Sequence, residues 1–165
     1  MTRPMFRVLA LLLSVTAVVS AFAQDNAGVQ TDENLARART MIQEGRKEII
    51  REDLHMTVVE EAAFWPLYAK YRAQLMPIQD RYVALTSNYI RQYESGILTN
   101  KYAEEMLQDY FSIQSDLLTT RRKYIRKFKK ILPMLKVARF YQLENKMNAD
   151  IDAELAFLVP LIEPD

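Results

Sequence analysis

Between Phe64 and Tyr89, Phe64, Tyr68, Tyr71, Leu75, Ile78, Tyr82, Leu85 and Tyr89 recur at alternating steps of four and three. That spacing is the seam of an α-helix packed along one side, and a strand, with its period of two, cannot sustain it. Thr57 and Glu60 frame the start of this segment as a capping box, in which the hydroxyl takes the third amide and the carboxylate reaches back. Gly96 supplies a stop, because a left-handed residue after a helix is easiest for glycine. A helix from Thr57 to Ser95 spans ~58 Å. Pro66 and Pro77 lie inside it, and each removes one backbone bond and is expected to bend the rod.

The rest of the chain carries the same period. Leu35, Ala38, Ile42, Gly45 and Ile49 define a first helix over about residues 32–53. Tyr102, Met106, Tyr110, Ile113, Leu117, Tyr124, Phe128 and Ile131 define a third over about 100–132, capped by Thr99. Pro133 breaks that helix and opens a fourth over 134–158, whose inner face is Val137, Phe140, Leu143, Met147, Ile151, Leu155 and Leu158. Only three glycines occur in the chain, so turns are few and elements long. The expected fold is all-α, with four long helices in an antiparallel hairpin or bundle. Residues 24–34 are expected to be a flexible polar segment and 35–165 a single all-helical domain.

The N-terminus reads as an export signal. Arg3 and Arg7 precede an uncharged apolar run from Val8 to Val19, and Ala21 and Ala23 stand at the small positions of a cut before Gln24. The run is short for a membrane span, which needs ~20 apolar residues. Residues 1–23 are therefore expected to be a signal peptide, removed after Ala23, with the mature chain in the periplasm; an uncleaved N-terminal anchor is the alternative. Cysteine is absent, so packing alone must hold the fold.

Catalytic signatures are missing. There is no thiol, and His55 is the one imidazole. Phosphate-binding, dinucleotide-binding and nucleophile-elbow motifs do not occur. Di-iron bundles use two Glu-x-x-His pairs, whereas Glu52 and His55 form a single one. His55 with Met56 offers two soft-metal ligands, fewer than a site needs. The expectation is a non-enzymatic protein without a metal or other cofactor.

Charge is unevenly placed. No acidic residue lies between Asp116 and Glu144, while Arg121, Arg122, Lys123, Arg126, Lys127, Lys129, Lys130, Lys136 and Arg139 fall there. The whole chain carries 22 basic and 21 acidic residues, so the remainder is acidic in excess. Such a separated field suits an anionic partner; a solvated face balanced by neighbouring acids is the alternative. In an exported chain the expected partners are anionic lipid, lipopolysaccharide or a polypeptide, and not nucleic acid.

Two further groups stand out. Tyr68, Tyr71, Tyr82 and Tyr89 make half of the long seam phenolic. A buried phenol needs a hydrogen-bond partner, so the seam is either a partly wet face that other chains touch or an ordinary core with hydroxyls at its rim. Glu144 and Glu154 lie ~40° from the centre of the fourth helix's apolar face. They are expected to be two separate buried polar anchors, each paired with Arg, Lys or Tyr, with Arg121, Lys127 and the facing tyrosines as available partners.

Leu54, His55, Met56, Thr57, Val58, Val59 and Glu60, together with Leu98, Thr99, Asn100, Lys101 and Tyr102, resemble the L-T-x-x-Q element of the Spy/CpxP group of periplasmic stress proteins. Both copies depart from it: Met56 precedes Thr57 where the motif has Leu, and Glu60 and Tyr102 replace its Gln. The segments Ala62–Tyr68 and Leu132–Lys146 are more closely similar to a group of small exported proteobacterial proteins without an assigned function. The Spy/CpxP resemblance implies a curved helical homodimer whose concave basic face, with apolar patches, holds unfolded polypeptides without ATP or tunes a sensor protein. The expected function is thus an ATP-independent chaperone or envelope-stress accessory. Docking of the basic helix on anionic lipid, and a metal-responsive regulator using His55, are the competing expectations.

Overall fold

The computed structural model describes the backbone of residues 28–163 and the side chains of residues 37–163. The apolar run and the cleavage site expected after Ala23 lie outside these residues. Four helices follow in order, α1 (Gly28–Leu54), α2 (Val58–Glu94), α3 (Asn100–Phe128) and α4 (Met134–Leu158), with no strand among the described residues. The all-α, four-helix reading holds. Helix α1 begins at Gly28, so residues 28–34, expected to be flexible, are helical.

Local chemistry sets the ends of α2. The Glu60 amide donates to Thr57 Oγ1 at 3.3 Å and the Thr57 amide donates to Glu60 Oε2 at 2.7 Å, which completes the capping box. At the far end Gly96 takes φ +67°. Its amide donates to the Tyr93 carbonyl and the Ile97 amide to the Gln92 carbonyl, the two-bond closure that satisfies the last carbonyls of a helix. Pro66 and Pro77 both lie within the uninterrupted helix. They and the residues four earlier, Ala62 and Ala73, are exposed, so water reaches the carbonyls that the prolines leave without a partner.

Helix α3 starts where expected, with the Tyr102 amide donating to Thr99 Oγ1 at 3.1 Å. It ends at Phe128, short of the expected Leu132. Beyond it the Lys130 and Ile131 amides donate to carbonyls three residues back. The tightening follows from Pro133, whose ring disfavours helical geometry in the residue before it.

The described chain gathers into two compact units. The first holds α1 to His55 and Ala138–Leu158; the second holds Met56–Val137 and the residues from Val159 onward. In the second unit α2 and α3 run antiparallel. Phe64 meets Phe128, Lys70 meets Tyr124, Arg81 meets Asp116 and Tyr82 meets Tyr110, so the sequence falls on one helix as it rises on the other. In the first unit the pairs Arg46–Glu144 and Asp53–Arg139 show the same sense for α1 and α4. Among the described side chains of α1 the buried ones are Ala38, Arg46, Ile50 and Leu54. Gly45 and Ile49 are only half-buried, so the inner face is turned by about one residue from the expected stripe. A buried arginine is what a search for apolar periodicity overlooks.

Candidate interaction surface

The nine cations of the basic segment differ in their partners. Lys136 donates to Glu60 Oε2 at 2.7 Å. Arg139 donates through Nε to the Asp53 carbonyl and through Nη2 to Asp53 Oδ1, both at 2.7 Å. Lys123 reaches Gln74, Lys127 lies 4.4 Å from the centre of the Tyr124 ring, and Arg121 also has a partner. Arg122, Arg126, Lys129 and Lys130 remain exposed, and no ion pair or hydrogen bond joins their side chains to other described residues. These four lie at the C-terminal end of α3 and in the turn after it.

The tyrosine seam is core. Tyr68, Tyr71 and Tyr89 are buried and Tyr82 is half-buried. Tyr71 packs 5.1 Å from Tyr124 and 5.8 Å from Phe128, and Phe64 lies 5.4 Å from Phe128, centroid to centroid. Hydroxyls reach backbone acceptors: Tyr89 donates to the Pro160 carbonyl at 2.7 Å and Tyr124 to the Lys70 carbonyl at 3.0 Å. Burial raises the pKa of both phenols. Of the two readings open in the sequence, the burial of Tyr68, Tyr71 and Tyr89 fits the ordinary core.

The two glutamates of α4 part company. Glu144 is 2 % exposed and accepts from Arg46 Nη1 at 3.3 Å, while Arg46 Nη2 donates to Asn148 Oδ1 at 2.7 Å. Its arginine comes from α1 and not from the basic segment. Glu154 is only half-buried and has no ion pair or hydrogen bond to another described residue, so it is not the second anchor that the helical wheel suggests. Its turn of α4 carries exposed Ala153, Ala156 and Phe157, and water solvates a carboxylate there. Arg46 and Arg72 are buried polar residues that the sequence did not mark. The one available hint for Arg46 is its place at the i+4 position between Ile42 and Ile50.

Exposed apolar side chains stand at two helix starts of the second unit. Val58 and Val59, in the first turn of α2, are 85 % and 80 % exposed, and Met134 and Leu135, in the first turn of α4, are 56 % and 87 % exposed. The Glu60–Lys136 ion pair fastens these two helix starts together. Hydrogen bonds from Lys136 and from the Thr57 amide hold the Glu60 carboxyl below its ordinary pKa, so it is anionic at neutral pH. The Phe64–Phe128 contact brings the end of α3, with Lys129 and Lys130, to the same end. Four aliphatic side chains beside unpaired cations can desolvate against an apolar ligand while attracting anionic groups next to it.

His55 follows α1 with φ 45°, the only positive φ of a described residue other than glycine. Among the described residues no group of three or more His, Asp or Glu side chains is placed to hold a metal ion. No described helix is long and apolar enough to cross a membrane. No family model, curated protein or solved structure matches the chain.

Proposed function

We propose that this chain is a non-enzymatic binding protein of the periplasm, an ATP-independent holder of unfolded or envelope polypeptides of the Spy/CpxP kind. The observation that carries the proposal is the end of the second unit, where Val58, Val59, Met134 and Leu135 stand exposed beside Lys129 and Lys130. Unfolded segments expose apolar side chains among polar and acidic ones. A small apolar surface with cations at its border takes such segments weakly and without sequence preference, because neither burial nor screened charge demands a fixed geometry.

The test is suppression of aggregation of a denatured client at near-stoichiometric ratio without nucleotide. Val59→Ser with Leu135→Ser, and separately Lys129→Glu with Lys130→Glu, should each lower suppression several-fold while helix content stays as in the parent. A parent protein that leaves aggregation unchanged at tenfold excess would falsify the proposal.

The same aliphatic and cationic side chains support a second reading, docking on an anionic bilayer or lipopolysaccharide. Co-sedimentation with vesicles of anionic phospholipid separates the two, since lipid docking of this kind weakens steeply with salt.

A further inference from the structure

We propose that Tyr89, Tyr93 and Tyr102 form a binding site for an extended, proline-containing polypeptide segment, and that residues 159–163 of this chain occupy it as an internal ligand. Helix α4 ends at Leu158, and Val159 takes extended geometry, φ −94° and ψ 110°. A residue before proline is driven there by the ring that follows it. Pro160 fixes its own φ near −65°, so the tail reaches the site already extended. From Val159 onward the tail belongs to the same compact unit as α2 and α3. The Tyr89 hydroxyl donates to the Pro160 carbonyl at 2.7 Å, 71 positions away in sequence. Tyr89 itself is 6 % exposed, and its ring lies 6.2 Å from that of Tyr93. The hairpin register, set by Arg81 with Asp116 and Tyr82 with Tyr110, places Tyr102 across from the turn of α2 that carries Tyr89 and Tyr93. The Tyr89 phenol, its pKa raised first by burial, is raised further by both of these neighbours.

Aromatic surfaces hold proline-containing segments because such a segment is stiff before it binds and its carbonyls, unbonded within the segment, remain free to accept. Two observations mark the tail as a replaceable occupant. Leu161 is 86 % and Ile162 50 % exposed, so these side chains bury little apolar area. The Tyr89 bond is the single hydrogen bond that joins the tail to α2 or α3 among the described residues. A segment held by so little opens at low free-energy cost. The second observation is the Tyr102 hydroxyl, which is buried with no hydrogen-bond partner among the described residues. An unpaired buried phenol is costly, and a segment that brought it a second carbonyl would recover that loss. The internal ligand thus leaves one donor of the site unused. A free peptide competes only against the tail's local concentration, on the order of mM. Tyr89 lies ~47 Å along α2 from Val58, so this site and the aliphatic surface assigned to client binding can fail separately.

The probe is a fluorophore-labelled, amidated peptide of residues 157–163, Phe-Leu-Val-Pro-Leu-Ile-Glu, read by anisotropy. Pro160→Asp loosens the tail and leaves the three tyrosines in place. This variant should bind the peptide at least about tenfold more tightly than the parent, because its site is open for a larger fraction of the time. Tyr89→Phe and Tyr102→Phe, each added to Pro160→Asp, should weaken binding about fivefold, the contribution of one neutral hydrogen bond. Circular dichroism checks that helix content is kept. The chain has no cysteine, so Ile162→Cys takes a single nitroxide label in an otherwise unaltered protein. Unlabelled peptide at about 2 mM, comparable with the tail's local concentration, should displace the tail and sharpen the label's spectrum. A label that the peptide leaves unmoved overturns the proposal, and that reading stands even where Pro160→Asp fails to fold. Equal affinity of the parent and a folded Pro160→Asp, or no binding to either up to about 1 mM, overturns it as well. Binding undiminished by both tyrosine changes would place the peptide on another surface and has the same consequence.

Discussion

Arg46 on α1 and Glu144 on α4 lie 98 positions apart in sequence and meet in the interior, Nη1 to Oε1 at 3.3 Å, with side chains 1 % and 3 % exposed. Removing one member of such a pair leaves a buried charge without its counter-ion, which typically costs ~3–5 kcal/mol. Glu144→Ala should therefore lower stability by about 3 kcal/mol in urea unfolding, against less than about 0.5 kcal/mol for Asn145→Ala on the exposed side. The double variant Arg46→Met with Glu144→Leu should recover most of the loss, since the desolvation cost of both ions disappears together. A double variant as unstable as Glu144→Ala would show that packing and not charge governs the site.

The Glu60–Lys136 contact predicts an acid dependence. Glu60 has its pKa lowered in the folded protein, first by the hydrogen bond from Lys136 and next by the Thr57 amide. A carboxylate with a depressed folded pKa contributes stability that is present above its unfolded value, ~4.3, and is lost as pH falls through the lowered one. Thermal melts of the parent and Glu60→Gln should therefore differ at pH 7 and converge below pH ~4. A gap that persists undiminished into acid would remove the carboxylate from the account.

Alkaline titration probes the aromatic core. Burial raises the pKa of Tyr89, Tyr102 and Tyr124. For phenols shifted upward, the contribution to stability is complete below the unfolded value, ~10, and is lost as pH rises through the folded values. Absorbance near 295 nm, where tyrosinate absorbs, should show part of the tyrosine complement ionising late and together with loss of helix. Tyr124→Phe removes the hydrogen bond to the Lys70 carbonyl and should cost about 1 kcal/mol. Ionisation of all nine tyrosines in one transition near the ordinary value would contradict the assignment.

Gly96 gives a backbone prediction. A Cβ built there meets nothing within 4 Å, so any cost of substitution comes from φ +67° and not from crowding. Gly96→Ala should destabilise by about 1 kcal/mol, and Gly96→Asn by less, because asparagine tolerates the left-handed region. Equal losses for the two would mean that the turn relaxes out of that conformation.

Much of the fold was legible in particular residues. Thr57 with Glu60, Thr99, Gly96 and Pro133 mark helix ends through bonds made within a few residues, and a local signal survives in a linear text. The seam from Phe64 to Tyr89 announced α2 because a helix repeats its environment every turn. The early end of α3 at Phe128 was missed because Pro133 acts on the residues before it, which the apolar pattern through Ile131 conceals. The candidate surface was legible only as an inventory. Nine cations are visible, yet nothing local shows that Glu60 takes Lys136 and Asp53 takes Arg139 while Arg122, Arg126, Lys129 and Lys130 have no ion pair or hydrogen bond to other described residues.

The sequence by itself determined that the described part of the chain is all-helical, where its caps lie and which residues are candidates for a charged surface, because helix formation is set by neighbours three and four positions away. Tertiary structure alone decided that most of the tyrosine seam is buried, that Glu144 pairs with Arg46 while Glu154 has no pair among the described residues, and that the starts of α2 and α4 are joined by Glu60 and Lys136. Burial and ion pairing depend on the three-dimensional distance between groups remote in sequence. A helical wheel gives each side chain a direction, but only the packed neighbour decides whether that direction meets water, a ring or an opposite charge.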